Sequence, residues 1–507
     1  MRLHEAARAL NARAVGADVE IASVSTDTRN LPAGCLFVAL KGPRFDGHDF
    51  ADQALEKGAA AVMVEAGANL PLSPALVVDD TRLALGRLAA WHRANMPARL
   101  VAITGSNGKT TVKEMVAAIL AAEAGAEAVL ATSGNLNNDI GMPLTLLKLT
   151  PAHRYGVIEM GMNHPGELAY LTEIARPDVA VVNNALRAHL EGLGSVEAVA
   201  RAKGEIYAGL GQAGIAIVNA DDPHAGLWRS MNNTRKVLSF GFSRDADISV
   251  RTLDDTLVNW QLASTRSSLR LSTPQGLIET SLQLPGEHNL ANAAAATACA
   301  LALGAGPTAI ARGLAHFGGV KGRLQVHPCI LGATLIDDTY NANPDSILAA
   351  IQVLTERPGN RVLVLGDMGE LGPGAADLHR EMGEKARAAG IERLLCLGEM
   401  SVHTAQGFGP GAMHFERIEE LLAEVECALA PGVTVLVKGS RFMKMERVVQ
   451  SFMERVDSPH ASLPPEGADC PPRGGPTEGV YSPHASLPPE GADCPPRGGP
   501  TEGKSCS

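Results

Sequence analysis

The stretch Val101 to Met115, VAITGSNGKTTVKEM, joins an apolar run to a helical pattern through two glycines, a lysine and two threonines. Gly105 and Gly108 permit tight backbone turns. Successive N–H groups, with Ser106 and Asn107 between the glycines, can then face phosphate oxygens at the positive end of the following helix. Lys109 would neutralise the outer phosphates of a nucleotide, Thr110 supplies the hydroxyl expected on Mg²⁺, and Thr111 lies beside it. Ile103 stands where the usual phosphate-loop pattern has its first glycine, which shortens the motif without removing its working atoms. A phosphate-bound Mg²⁺ also takes carboxylate. Glu159 closes the apolar run YGVIE, where a parallel strand would deliver it beside the loop. His189 follows the run DVAVVNN; it could ligate a second metal, but a solitary histidine more often serves as a hydrogen-bonded structural group. Nothing local marks Lys203 in VARAKGEIYAGL, which reads as a solvated helix residue.

Three α/β units are needed to position these groups, and 507 residues suit about three domains. In 1–97, the strand-like runs CLFVAL, AAVMVE and ALVVDD alternate with helical stretches. In 98–314, RLVAIT is a strand, and TVKEMVAAILAA places Val112, Met115, Val116 and Ile119 on one helical face. YGVIEMG, DVAVVNN and IAIVNADD read as parallel strands with polar ends at one sheet edge, and NLANAAAATACALALGAG as a buried helix. From about Leu238 to Pro285, the alternation in ADISVRTL, NWQLAS, SLRLST and TSLQLPG predicts an antiparallel appendage. In 315–456, four β runs (ATLIDD, RVLVLGD, RLLCLGE, VTVLVKGS) alternate with helices, the pattern of a Rossmann-like doubly wound sheet. This unit lacks G-x-G-x-x-G after its first strand, which speaks against a dinucleotide cofactor. In 457–507, SPHASLPPEGADCPPRGGPTEG occurs twice, letter for letter. Its six prolines and four glycines per copy predict a disordered tail.

A net charge of −11 disfavours a nucleic-acid or anionic-membrane binder, while leaving room for a basic pocket. No apolar run reaches the ~18 residues of a membrane span, and the charged amino terminus lacks a secretory h-region, so a cytoplasmic enzyme without integral membrane contact is expected. The body cysteines (Cys35, Cys299, Cys329, Cys396, Cys427) show no C-x-x-C spacing and signal neither a zinc site nor a disulfide framework.

With the loop TGSNGKTT, the segments TSGNLNNDIGMPLTLL, EMGMNHPGE, AHLEGLGSVEAVARAKGEIY, LPGEHNLANAAAA, GRLQ, DDTYNANPDS, LGDMGELG and VKGSRFMKME form an ordered series from about Ser23 to Val449. The series resembles the ATP-dependent Mur ligases of peptidoglycan synthesis. Within that family it is most similar to the members that add D-alanyl-D-alanine to UDP-N-acetylmuramoyl-tripeptide, because Tyr340 to Pro344 (YNANP) stands where other members carry a histidine-containing version. The resemblance implies an amino-terminal domain holding the UDP end of the substrate, a central ATPase and a carboxy-terminal domain that closes over the site. It also implies a monomer, with ATP and Mg²⁺ as cofactors and an acyl-phosphate intermediate.

Residue by residue, the resemblance makes Thr26, Asp27, Arg29, Lys41 and the turn Asp46-Gly47-His48 candidates for the uridine nucleotide. It turns Glu159 and His189 into ligands of two Mg²⁺ ions, and matches Lys203 to a lysine often carbamylated by CO₂ into a metal-binding anion. Lys109, His189 and Lys203 are thereby the catalytic candidates. His288, Asn289 and Asn292 match the segment holding adenine, and Arg323 with Asp338 the nucleotide clamp from the third domain. The alternatives are a relative adding a single amino acid, including the folate polyglutamylating ligases, and a nucleotide-dependent switch. The uridine-region likeness, YNANP and the absence of the guanine-reading N-K-x-D motif weigh against them.

Overall fold

The computed structural model describes residues 1–67, 73–253 and 267–454, in which three sheets each organise their own core. The run NWQLAS and the repeated tail lie outside the described residues.

The first sheet runs Arg13–Val15, Ala75–Val78, Ala61–Glu65, Cys35–Val38 and Ser23–Ser25 in spatial order, parallel except for the antiparallel edge strand Arg13–Val15. The three expected runs are its inner strands; the two outer strands, three residues each, are too short to show a period. Helix Thr81–Ala94 is capped by Asp80, whose carboxylate accepts from the Leu83 N–H. Its Ala84, Leu85 and Leu88 pack into the first core, while Ala89 packs into the second. This helix therefore ties the first sheet to the central one.

The central sheet has nine strands, and the phosphate-loop strand Arg99–Thr104 lies between Tyr155–Glu159 and Val179–Val182, parallel to both. Ile103 pairs with Glu159 and Thr104 with Val182, so the register carries three strand ends to one edge. Helix Lys109–Ala124 buries Val112, Met115, Val116 and Ile119 as its period requires. The alanine-rich run is helix Glu287–Ala302, and its small side chains let it lie in the same core against that helix and the sheet. The expected antiparallel appendage is corrected in two respects. Lys236–Gly241 and Ile248–Thr252 pair in parallel, and only Ile248–Thr252, Ser267–Thr273 and Gly276–Leu282 are antiparallel. All of them extend the central sheet rather than standing apart from it. Alternation fixes which face of a strand is buried but not the direction in which it runs.

In the third sheet, the four expected runs are the parallel strands Thr334–Asp338, Val433–Lys438, Asn360–Gly366 and Arg393–Leu397. Ala412–Phe415 adds a parallel edge and Gln325–Pro328 an antiparallel one. No described helix is long and apolar enough to cross a membrane. Cys35, Cys299, Cys329 and Cys396 are buried.

Candidate active site

A cavity of about 1450 Å³ opens at the edge where Thr104, Glu159 and Val182 end, and all three sheet units contribute to its wall. Gly108, at the start of helix Lys109–Ala124, has a φ of +82°, and a Cβ there would collide with the side-chain amides of Asn292 and Asn183. Glycine is thus required by both conformation and space. Lys109 Nζ donates to the carbonyls of Gly105 (2.6 Å) and Ser106 (3.3 Å), which holds it within the curve of the loop. Burial lowers its pKa, Glu159 opposes that shift, and Arg323 adds to it.

Asparagines lock the loop in place. Asn107 N donates to Asn184 Oδ1 (2.9 Å), while the amides of Asn183 and Asn184 donate to Asn107 O (3.0 and 3.1 Å). Asn183 also donates to Asn292 Oδ1 (2.9 Å), and Asn292 to Asn289 Oδ1 (3.1 Å). From the third unit, Asn343 Nδ2 donates to Asn107 Oδ1 (2.7 Å), while Asn343 Oδ1 caps helix Pro344–Thr355 through the Ser346 N–H (2.8 Å). One chain of amides therefore joins the phosphate loop, the adenine candidates and the YNANP segment. Asn183 and Asn184 were not among the expected site residues; the polar doublet closing the apolar run DVAVVNN was their signal.

Glu159 is 2 % exposed. Its Oε1 accepts from Asn137 Nδ2 (2.8 Å), and its buried Oε2 has no hydrogen-bond partner. His189 Nδ1 lies 2.7 Å from Glu370 Oε2, out of line for a hydrogen bond. Burial lowers its pKa against the pull of Glu370, favouring the neutral imidazole. Lys203 corrects the solvated-face expectation: it is 1 % exposed, on the buried side of helix Val196–Gly204 with Val199 and Ala200. Burial, and then the charge of Lys109, drive its pKa well down. Among the described residues no three His, Cys, Asp or Glu side chains converge. An orphaned carboxylate oxygen beside a phosphate loop nevertheless fits Mg²⁺, which is held by one or two carboxylates together with phosphates.

The third unit reaches the loop through Arg323, whose Nη2 donates to Thr110 Oγ1 (3.2 Å) and whose guanidinium lies 4.3 Å from the centre of the Tyr340 ring. His288 also lines the cavity; burial, then the Lys438 charge, push it down to about 4. Asp338 Oδ2 accepts from Lys438 Nζ (2.6 Å), and both side chains are largely buried. Lys438 was not among the expected site residues, although it lies in the VKGSRFMKME segment. Lys438→Met would leave the Asp338 carboxylate buried without its cation. A loss of about 3 kcal/mol in unfolding free energy by chemical denaturation is the expected result.

Arg187, likewise not among the expected residues, donates to Asp345 through its backbone N (2.7 Å), Nε (3.1 Å) and Nη2 (2.8 Å), and through Nη1 to Glu381 (3.1 and 3.0 Å). This two-carboxylate grip docks the third unit on the central one. The uridine candidates lie elsewhere, and none lines the cavity. Arg29 pairs with Asp27, holding its carboxyl at about 2, and Lys41 pairs with Glu65. Asp46 caps its turn through the His48 N–H. The His48 ring is engaged by Asp46 at Nδ1 (2.6 Å) and accepts from the Glu65 N–H at Nε2 (3.0 Å), which fixes it within the turn.

Three family models match the chain: "Mur ligase family, catalytic domain" over residues 20–118, "Mur ligase middle domain" over 103–300, and "Mur ligase, glutamate ligase domain" over 322–441. A UDP-N-acetylmuramoyl-tripeptide–D-alanyl-D-alanine ligase from Escherichia coli is 50% identical over 449 residues, covering 88% of this chain and 96% of its own length. The structure of a UDP-N-acetylmuramoylalanyl-D-glutamyl-2,6-diaminopimelate–D-alanyl-D-alanyl ligase from Acinetobacter baumannii superposes with a TM-score of 0.77 at 35% identity, covering 88% of this chain and 97% of that one. The MurF ligase from Thermotoga maritima in complex with ADP has a TM-score of 0.73 at 28% identity, with coverages of 84% and 96%.

Proposed function

The chain belongs to the Mur ligase family, and from that premise we propose that it is the ATP-dependent ligase joining D-alanyl-D-alanine to UDP-N-acetylmuramoyl-tripeptide in peptidoglycan precursor synthesis. The observation that carries this reading is the single cavity in which a phosphate loop, an orphaned carboxylate and the YNANP segment meet across three units.

The tripeptide carboxylate attacks the γ-phosphorus of ATP, ADP departs and an acyl phosphate forms. The dipeptide amine then attacks the acyl carbon, and inorganic phosphate leaves as the amide closes. The N–H groups of the loop orient the phosphates, and Lys109 spreads the charge that develops on them. Arg323, steered by Tyr340, reaches the same phosphates from the third unit, with its planar fork suited to paired oxygens. Glu159 and His189, with Thr110 and a carbamylated Lys203, would hold Mg²⁺, which when bound stabilises charge on the phosphoryl oxygens. Asn289, Asn292 and His288 line the adenine side. The docked third unit, gripped by Arg187, keeps water from the acyl phosphate. Thr26, Asp27, Arg29 and Lys41 receive the UDP end, outside the reaction cavity. A cytoplasmic location accords with these substrates.

Phosphate release from ATP tests the assignment: it should require both the UDP-tripeptide and D-alanyl-D-alanine. Release with neither would favour the nucleotide switch, and equal release with a single D-alanine would favour a single-residue ligase.

A further inference from the structure

One wall of the cavity carries an ion pair that none of the roles above uses. Arg82, in the first turn of helix Thr81–Ala94, grips Asp139 bidentately, Nε to Oδ2 and Nη2 to Oδ1 (2.9 Å). Both residues line the cavity, and their side chains remain 57% and 27% exposed. Two of the five guanidinium N–H groups are committed, so the others are available to a ligand. The turn that carries Asp139 is itself fixed: Asn138 Oδ1 accepts from Gly141 N (2.8 Å), and Gly141 lies so close to the Leu136 backbone that a Cβ there would collide with it. Asp80, Glu167 and Tyr170 line the same cavity. This wall thus presents a guanidinium beside carboxylates, arranged to accept a group carrying both a carboxylate and an ammonium.

We propose that the Arg82–Asp139 pair is the specificity element for the side chain of the third residue of the tripeptide, reading the amino-acid end of diaminopimelate. The inference rests on the ligase assignment above. Diaminopimelate ends in a zwitterion, whose carboxylate would take the free N–H groups of Arg82 and whose ammonium would face Asp139 with Asp80. Lysine at the same position offers only the ammonium, leaving Arg82 without an added partner. Helix Thr81–Ala94, rooted in both cores, sets the pair at a fixed place relative to the phosphate loop. The bidentate fork matters, because a lysine ammonium is a point charge and cannot hold Asp139 and a substrate carboxylate in the same plane.

The test compares UDP-tripeptides ending in diaminopimelate and in lysine, with full-length wild type, Arg82→Gln and Arg82→Lys, and with melting temperatures to confirm folding. Wild type should favour the diaminopimelate substrate in kcat/KM. Arg82→Gln should reduce that preference at least tenfold, through the KM of the diaminopimelate substrate and with little change in kcat, and Arg82→Lys should recover only part of it. An unchanged preference in folded Arg82→Gln, a fall in kcat alone, or a wild type that favours lysine would overturn the proposal. Failure of wild type to use either tripeptide would instead overturn the ligase assignment on which it stands.

Discussion

Lys109→Ala is expected to lower kcat/KM for phosphate release at least a thousandfold while leaving the melting temperature unchanged or slightly raised. The two outcomes separate because the same side chain is costly to the fold and necessary to the chemistry. In the folded protein the lysine is half-buried, its ammonium is satisfied by two backbone carbonyls, and desolvation lowers its pKa. Removing it relieves that desolvation, and because the side chain already borders the open cavity, its loss seals no new void inside the core. In the reaction, charge accumulates on the phosphoryl oxygens as the carboxylate attacks, and a preorganised cation in a water-poor site is worth about 4 kcal/mol or more, or roughly a thousandfold in rate. Binding of a fluorescent ADP should weaken much less than turnover, since the Asn107, Asn183 and Asn184 bonds that shape the loop do not involve the lysine. An alanine variant retaining a tenth of wild-type kcat/KM would remove Lys109 from the catalytic set.

The contrast between what the chain disclosed and what it concealed follows from the range of the interactions. The phosphate loop is a contiguous device, strand then turn then helix, so the order of residue types already implies its geometry. Glu159 was legible for a related reason: a parallel neighbour must bring its polar end to the same sheet edge. Lys203 was hidden by its type, although its position held a clue. Val196, Val199, Ala200 and Lys203 follow the i, i+3, i+4, i+7 spacing of one helical face, and Val199, Ala200 and Lys203 are buried. Taking charge as the sign of exposure set the phase aside. The grip of Arg187 on Asp345 and Glu381 spans separations of 158 and 194 residues, and no local pattern encodes such a pair. The strand Lys236–Gly241 was misjudged because its pairing direction depends on a partner chosen in three dimensions.

Lys203→Ala should likewise abolish measurable ligation, by a thousandfold or more, and here the cause is chemical identity rather than charge alone. A lysine on the buried side of its helix is disfavoured as an ammonium, by desolvation and by Lys109. The balance is thereby moved toward the free amine, the form that adds CO₂ and releases a proton to give a carbamate. That conversion would turn an electrostatic liability near Lys109 into an anion able to join Glu159 and His189, residues otherwise short of negative charge for the divalent cation the phosphates require. Short-chain carboxylates such as acetate or propionate, which can occupy the space left by the truncated side chain, should restore part of the activity of Lys203→Ala but none of that of Lys109→Ala. Labelled bicarbonate should give a carbamate carbon resonance in wild type that is absent from Lys203→Ala. A fully active alanine variant would sink the assignment. Loss of activity accompanied by neither carboxylate rescue nor the carbamate resonance would reduce Lys203 to a packing residue of the Val196–Gly204 helix.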